Sequence, residues 1–413
     1  MRVLLSTIGT RGDVQPLVAL ALQLIDLGHE ARICAPPDFE EWLGTLGIPF
    51  VPVGPEVRQT ASAKPAASQT PPTPEQIRQL LAETVAGQFE AITPAAKDCD
   101  VLVAGMALQF ALHSLAEELG IPYVYAAWCP ITLPSSHHAP PPMPSWTPPA
   151  DGTEDNQTLW AQDAKRWNDQ FGAAINLNRA TAALAPVSDV RTHIFTDRPR
   201  LAADQTLAPW PQTAGLDVVQ TGAWIRADHR QLPAELEAFL DAGEPPIYFG
   251  FGSMRAPQDV SQAIIKAARA VGRRAIVLRG WGGVTLPESE PDCFSIEEVN
   301  LQALFRRVAA VVHHGGAGTT TVAAQAGAPQ MVVPQMYDQH YWAKRVQQLG
   351  IGRAHTPGSP SAESLSEALS QTLQPDVADR ARAVAALVRT DGAEIAARRL
   401  IDEVSQRRMR LSV

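Results

Sequence analysis

The sequence has few of the features that mark metal-binding, disulfide-linked or membrane proteins. Its 413 residues include only four cysteines, none of them in a Cys-x-x-Cys pair: Cys34, Cys99, Cys129 and Cys293. Cysteines this far apart favour small buried side chains over a zinc site or a disulfide framework. No apolar run is long enough to cross a membrane, and a strand-like segment follows Met1 directly, without a signal-peptide pattern. We therefore expect a cytoplasmic protein with no stable membrane insertion.

Positive charge is scarce as well. Lysine and arginine total 34 against 43 aspartates and glutamates, which gives a formal net charge of −9. This balance predicts no basic surface for nucleic acid, and nothing in the sequence implies a protein partner. The hydrophobic fraction of 45% and the charged fraction of 19% are typical of globular proteins. A chain of this length is expected to form two domains of roughly 200 residues each.

Apolar runs of strand length alternate with helix-length segments through most of the chain. At the start, a strand over Arg2–Ile8, a helix over Leu17–Leu27 and a strand over Glu30–Ala35 predict a βαβ unit of a parallel sheet. Short strands are also predicted at Ile194–Phe195 and Leu201–Ala202. The first turn has only Gly-x-x-Gly spacing, so a standard dinucleotide-binding domain is not predicted. The expected fold class is α/β with doubly wound sheets.

A proline-containing stretch near the middle of the chain divides it into two halves. We expect an N-terminal, acceptor-binding Rossmann-like domain over residues 1–208 and an interdomain linker over residues 209–222. A C-terminal domain that binds the donor is expected over residues 223–393. The final segment, residues 394–413, is expected to be a helix.

The most informative stretch runs from Val311 to Gln339, VVHHGGAGTTTVAAQAGAPQMVVPQMYDQ. It predicts a buried strand, a glycine turn, a helix and a second strand with a polar end. The first N–H groups of a helix lack internal partners and carry partial positive charge, so this turn with His314 suits a diphosphate. Asp338 and Gln339 supply a carboxylate and an amide that suit sugar hydroxyls. The stretch therefore predicts a site for a nucleotide sugar.

The strings HHGGAGTT, GAPQ and VPQMYDQ resemble the donor-binding signature of nucleotide-sugar glycosyltransferases of the GT-B fold, family 1. Within that family the chain is most similar to the bacterial enzymes that glycosylate glycopeptide antibiotics of the vancomycin group. The resemblance extends from MRVLLSTIGTRGDVQPLVALA at the start, through FGFGS, to the C-terminal helices. It implies two Rossmann-like domains that face each other across a cleft, with the last helix crossing back onto the first domain.

The resemblance also implies a reaction. It is inverting, metal-independent transfer of a hexose or deoxyhexose from a UDP- or dTDP-sugar, as co-substrate, to a hydroxyl of a hydrophobic natural product. A glycopeptide aglycone or its attached sugar is the expected acceptor, and polyketide, sterol and carotenoid acceptors are alternatives. Two other hypotheses remain open: a nucleotide-sugar 2-epimerase, and a non-catalytic protein that binds nucleotide sugars. No cofactor and no metal are expected, because no Asp-x-Asp pair occurs in the expected donor-site turns.

Asp13 is the candidate catalytic residue. It follows the first predicted strand, at the end of a sheet where α/β proteins bind ligands. The resemblance makes it the base that takes the acceptor proton, because GDVQP stands where many relatives have a GHxxP-type segment with histidine as the base. An ordinary carboxylate is a weak base, so this role requires desolvation. The alternative is that Asp13 only caps the helix predicted to start at Pro16.

The remaining donor-site candidates follow from the same resemblance. The acceptor candidates are aromatic residues of the first domain that offer flat apolar surface, with packing inside the protein as the alternative. Ser253 is either a phosphate ligand or a helix cap, and Trp281 is either a platform for the base of the nucleotide or a packing residue. Val299 and Gln302 stand where plant relatives have a WxPQ segment. The expected diphosphate ligands are Thr10, Arg11, Ser253, His314, Gly316, Gly318, Thr319 and Thr320. Asp338 and Gln339 are expected to bind the donor sugar, Trp281, Val299 and Gln302 the nucleoside, and Phe110, Trp128 and Trp146 the acceptor.

Overall fold

A computed structural model describes residues 1–58, 73–106, 108–142, 154–211, 215–252, 260–281, 290–356 and 360–411. Within them the chain forms two parallel sheets flanked by helices, which is the GT-B arrangement expected from the sequence. None of the described helices is long and apolar enough to span a membrane.

The first sheet has seven parallel strands in the order β3-β2-β1-β4-β5-β6-β7. Its inner strand β1 is buried, as in other parallel sheets: Leu4 lies between Arg32 of one neighbouring strand and Leu102 of the other, and is fully buried. The strands are β1 (Arg2–Thr7), β2 (Glu30–Ala35), β3 (Phe50–Pro52), β4 (Val101–Gly105), β5 (Tyr123–Ala127), β6 (Arg200–Leu201) and β7 (Val219–Gln220). The last of these lies within the predicted linker, so the first sheet continues beyond residue 208.

The second sheet has six parallel strands in the order β10-β9-β8-β11-β12-β13. In each sheet the strand order reverses at one place, between β1 and β4 and between β8 and β11, and ligands of such folds bind at this point. The strands are β8 (Ile247–Gly250), β9 (Ala275–Leu278), β10 (Cys293–Ile296), β11 (Ala310–His313), β12 (Gln330–Val332) and β13 (Gly352–Ala354).

Fourteen α-helices of the described residues cover the two sheets. They are α1 (Arg11–Asp26), α2 (Glu40–Thr45), α3 (Pro74–Ala96), α4 (Leu112–Leu119), α5 (Asn156–Thr181), α6 (Val190–Phe195), α7 (Ala234–Asp241), α8 (Val260–Ala270), α9 (Leu301–Leu304), α10 (Ala317–Gln325), α11 (Gln339–Gln348), α12 (Ala362–Thr372), α13 (Pro375–Ala385) and α14 (Gly392–Leu411).

Two predicted elements differ from the structure. Ile194–Phe195, predicted as a strand, is the end of α6, because the Asp189 side chain accepts a hydrogen bond from Thr192 N–H and starts a helical turn there. The first helix begins at Arg11 rather than Leu17. Thr10 is therefore its N-cap, and the proposed cap role of Asp13 for a helix starting at Pro16 is wrong.

The C-terminal helix α14 crosses back to the first domain, as the resemblance implied. Leu400 and Val404 are buried in the same hydrophobic core as the apolar face of α1. Glu403 forms an ion pair with Arg200, which belongs to the first sheet. The chain therefore starts and ends against the same domain.

Candidate active site

A cleft of about 1470 Å³ lies at the carboxyl ends of the central strands of both sheets. Its lining comes from the turn after β1 and from α5 in the first domain. In the second domain it comes from the turns after β9, β11 and β12, and from the segment that precedes α9. Both points of strand-order reversal open into this space. It is the place where a ligand would contact both domains at once.

Asp13 lines the cleft from the first turn of α1. Its carboxylate accepts a hydrogen bond from the backbone N–H of Thr10 at 2.7 Å, which fixes the start of the helix. Burial raises the pKa of Asp13 to about 6, although the hydrogen bonds from Thr10 act in the opposite direction. A carboxylate with this pKa is a better proton acceptor near neutral pH than an ordinary aspartate. The geometry thus combines a helix-stabilising role with the chemistry expected of a base.

Asp338 lines the cleft from the opposite domain, directly before α11. Burial raises its pKa to about 7; the indole N–H of Trp342, which donates to the carboxylate at 3.1 Å, lowers it, and the negative charge of Asp13 raises it. Asp13 and Asp338 line the same cleft, one from each domain. The sequence placed them more than 300 residues apart, and the fold brings them together.

Gln339 adjoins Asp338 but uses its amide oxygen inside the protein. That oxygen accepts from the N–H groups of Gln335 and Met336 at 2.8 and 3.2 Å, and so closes the turn that precedes α11. Gly315, with φ of +95°, lies against this helix start: a Cβ added there would be 3.0 Å from the carbonyl oxygen of Gln339. The expected sugar-binding turn and the glycine turn after β11 are thus packed together.

The glycine turn leads into α10, whose N-cap is Gly316. The first N–H groups of this helix, at positions 317–319, have no carbonyl one turn earlier in the helix to accept them. His314 lies beside them: a Cβ added to Gly316 would meet its Nε2 at 2.6 Å, so only glycine leaves room for the imidazole. Burial lowers the pKa of His314 to about 4, and its Nδ1 has no hydrogen-bond partner among the described residues. A neutral imidazole and helix N–H groups without intrahelical acceptors are groups that can bind a diphosphate, and we refer to this turn as the diphosphate seat.

Not all members of the predicted diphosphate set reach this seat. Gly316, Gly318 and Thr319 line the cleft. Thr320 does not, because its side chain is 1% exposed and its hydroxyl and its N–H both donate to the carbonyl of Gly316, at 2.9 and 3.0 Å. Thr320 therefore stabilises the helix start rather than contacting a ligand.

His313, the neighbour of His314, belongs to β11 and is fully buried. Its Nε2 bonds Gln330 Oε1 at 3.0 Å, and its Nδ1 accepts from Gly315 N–H at 3.1 Å. Burial lowers the pKa of His313 to about 3. The buried His313 thus fixes the glycine turn through its hydrogen bond with Gly315, while His314 lines the cleft.

Arg11 and Thr10 line the cleft from the first domain. The Arg11 guanidinium, however, donates to Glu298 of the second domain at 2.7 Å and lies over the Trp42 ring at 3.5 Å. Burial lowers the pKa of Arg11, against the effect of Glu298. In this conformation Arg11 links the two domains and does not point freely at the diphosphate seat. Ser253 lies outside the described residues.

The predicted nucleoside residues occupy one end of the cleft, with different functions. Val299 and Gln302 both line it. The Gln302 amide also donates to the Arg226 carbonyl at 2.8 Å, and so holds a neighbouring segment in place. Trp281 also lines the cleft, and its ring packs against Phe39 of the first domain at 5.9 Å between centroids.

That neighbouring segment, residues 225–230, was missed by the sequence reasoning. It lines the cleft beside Val299 and carries Arg226. Asn300, the N-cap of α9, donates to its carbonyls at Asp228 and Arg230, at 2.9 and 2.7 Å. The hydrogen bonds that shape this wall join residues about 70 positions apart, so no local sequence pattern predicts them.

The acceptor residues are partly corrected. Trp128 lines the cleft and contacts Trp224 edge to face at 5.3 Å, and its indole N–H has no partner among the described residues. Phe110 does not line it: it is 1% exposed and stacks behind Phe171 at 4.4 Å. Trp146 lies outside the described residues.

Helix α5 supplies the wall that Phe110 was expected to form. Trp160, Asp163, Trp167 and Phe171 all line the cleft from one face of this helix. They recur at intervals of three and four residues, which is the spacing of one helical stripe. This spacing was visible in the sequence and could have identified the wall.

The described residues contain one group of potential metal ligands, and it lies outside the cleft. His113, Glu117 and His193 come close together, but the two imidazoles stack at 4.3 Å with 12° between their planes. Lone pairs of parallel rings lie in separate planes and do not converge on one ion. Arg179 already forms an ion pair with Glu117. This group is an aromatic and ionic contact between helices.

The chain was compared with known proteins. Residues 3–136 match the model of the glycosyltransferase family 28 N-terminal domain, and residues 283–411 match that of the erythromycin biosynthesis protein CIII-like C-terminal domain. The chain is 52% identical to glycosyltransferase GtfE of Amycolatopsis orientalis over 98% of both chains. It is 49% identical to the vancomycin aglycone glucosyltransferase of the same organism over 100% of both. Among solved structures, the glycotransferase of kitacinnamycin has a TM-score of 0.71 at 19% identity, covering 98% of each chain, and so shares the fold.

Proposed function

This chain belongs to the nucleotide-sugar glycosyltransferases of the GT-B fold, and we propose that it glycosylates a glycopeptide antibiotic. The donor is a UDP- or dTDP-activated hexose or deoxyhexose. The acceptor is a hydroxyl of the aglycone or of a sugar already attached to it. The name of the vancomycin aglycone glucosyltransferase, 49% identical over the full length, supports this substrate class.

The observation that carries the proposal is that two carboxyl groups, one from each domain, line one cleft together with a helix N-terminus. Asp13 comes from one domain, and Asp338 and the start of α10 come from the other, all lining one cleft. An acceptor bound to the first domain and a donor bound to the second would therefore meet between Asp13 and Asp338. Trp128 and the aromatic residues of α5 offer the first domain's flat apolar surface for an aromatic peptide.

The reaction proposed is a single displacement. The acceptor oxygen attacks the anomeric carbon, the bond from that carbon to the diphosphate oxygen breaks, and the acceptor proton passes to Asp13. The negative charge left on the diphosphate is held by the N–H groups at the start of α10 and by His314. Because attack and departure occur on opposite faces of the carbon, the configuration inverts. Asp338 and the amide nitrogen of Gln339 orient the sugar hydroxyls.

A turnover assay tests the proposal. The purified protein would be incubated with UDP-glucose and with dTDP-sugars, first alone and then with glycopeptide aglycones, macrolides, flavonoids and sterols. Mass spectrometry would detect the product. We expect a glycopeptide to gain the mass of one sugar, with stoichiometric release of the nucleoside diphosphate. Conversion of the nucleotide sugar without an acceptor would favour an epimerase. Donor binding without chemistry on any acceptor would favour a non-catalytic binding protein.

A further inference from the structure

Tyr337 stands in the turn between β12 and α11 and lines the cleft directly before Asp338. Its φ of +52° lies in the left-handed region, which is strained for a residue with a side chain. The hydrogen bonds that Gln335 and Met336 donate to Gln339 Oε1 impose this conformation from the preceding side. A strained residue persists only where its surroundings determine its conformation in this way.

Tyr337 shares its cleft with the carboxylates of Asp13, Asp163 and Asp338. They belong to the expected base, the acceptor wall and the expected sugar site. Burial raises the pKa of the Tyr337 phenol, and nearby acidic groups, Asp338 first, raise it further. A raised pKa keeps the hydroxyl protonated, and the group remains a hydrogen-bond donor throughout the neutral pH range.

On the basis of the proposed function, we propose that Tyr337 is a substrate-positioning residue that donates a hydrogen bond to a hydroxyl of the donor sugar. Tyr337 belongs to the same turn as the expected sugar ligands and lines the cleft that both domains share. This contact fixes the rotation of the sugar ring, so that the anomeric carbon faces the acceptor oxygen beside Asp13. Neither the diphosphate seat nor the nucleoside end of the cleft depends on it.

Two substitutions test the contributions of the Tyr337 hydroxyl and of its strained backbone separately. Tyr337→Phe keeps the ring and removes the hydroxyl. We expect kcat/KM for transfer to fall about tenfold, while Kd for the nucleoside diphosphate, which lacks the sugar, stays within about twofold of wild type. Tyr337→Gly removes the ring and relaxes the left-handed backbone. We expect transfer to fall at least about 100-fold without a lower Tm, since glycine adopts positive φ freely.

Two control variants match these changes outside the cleft. Ala183→Gly also relaxes a left-handed residue, with φ of +55°, at an exposed position after α5. Tyr341→Phe removes a phenol hydroxyl from α11, on a side chain that does not line the cleft. Both controls are expected to transfer at the wild-type rate.

The outcomes distinguish this inference from the proposed function. If the wild type transfers sugar and Tyr337→Phe matches it in kcat/KM, the inference is wrong while the function stands. If Tyr337→Gly loses activity and Tm together, Tyr337 has a structural role and the inference is again wrong. A wild type that transfers to no acceptor overturns the proposed function, and the positioning role with it.

Discussion

Replacement of Asp13 by asparagine separates the two roles that the structure combines at this residue. An amide has nearly the same shape as the carboxylate, and its carbonyl oxygen can still accept the N–H of Thr10, so the start of α1 is preserved. It cannot accept a proton from the acceptor hydroxyl. We expect kcat to fall by about 10²- to 10⁴-fold, the usual contribution of a general base. The donor should bind as before, because the diphosphate seat lies in the other domain.

The pH dependence of the wild type follows from the same carboxyl group. Asp13 acts only when it is ionised, and its pKa is about 6. The value of kcat/KM should therefore rise about tenfold per pH unit below that pKa and level off above it. Asp338, with a pKa of about 7 and coupled to Asp13, adds a second step, so the profile reports the pair. Asp13→Asn should lose the limb that belongs to Asp13.

Stability should change in the opposite direction from activity. A carboxyl group whose pKa is raised by folding stabilises the folded state at low pH, and this contribution is lost as the pH rises through the folded pKa. The shift of Asp13 from 3.8 to about 6 corresponds to at most about 3 kcal/mol at pH 8, and to about 1–2 kcal/mol after allowance for its partial exposure. Asp13→Asn should be more stable than wild type by that amount at about pH 8, and the gain should shrink towards about pH 4.

Three measurements check this reasoning: steady-state transfer between about pH 5 and 8, donor titration by calorimetry, and thermal unfolding at both ends of the pH range. Asp26→Asn, an exposed aspartate at the other end of α1, is the matched control and should behave as wild type. Full turnover by Asp13→Asn with intact donor binding would refute the base role. An Asp13→Asn variant that is less stable than wild type at about pH 8 would refute the burial argument.

The other predictions concern two residues near the expected nucleotide-sugar site and the metal independence of the reaction. His314→Ala should weaken binding of the nucleotide sugar at least about tenfold in calorimetry, because it removes an uncharged imidazole that can donate a hydrogen bond to the diphosphate. An unchanged Kd would exclude that contact. Thr320→Val should lower Tm and reduce the free energy of unfolding by about 1 kcal/mol, because the hydrogen bond to Gly316 is lost. The Kd for the nucleotide sugar should not change; weaker binding would indicate that Thr320 contacts the ligand. Dialysis against EDTA should leave transfer unchanged; loss of activity restored by Mg²⁺ would contradict a metal-independent leaving group.

Local patterns were sufficient for much of the fold and for the centre of the site. The strands β1 and β11 are short apolar runs buried on both faces, and the glycine turn after β11 needs residues that allow positive φ or close approach. These requirements involve only a few neighbouring residues, so they can be recognised in the sequence. The strand ends at His313, so His314 falls in the turn, where the sequence pattern predicts a ligand contact.

The helix starts were less predictable. Whether a polar side chain near a helix start faces a ligand or bonds the helix itself depends on a difference of one or two residues in where the helix begins. Helix α1 begins at Arg11, so Asp13 lies in its first turn, and α10 begins at Ala317, so the Thr320 hydroxyl donates within the helix. Propensities place helix boundaries no more closely than that.

Residues close together in the sequence are enough to predict the alternating strands and helices, the glycine turn and the polar residues that follow it. Long-range contacts alone bring Arg11 to Glu298, pack Phe110 behind Phe171, and place Asp13 and Asp338 in one cleft. These contacts join residues far apart in the chain. The raised pKa values of the two carboxyl groups have the same origin, since the walls that exclude water come from both domains.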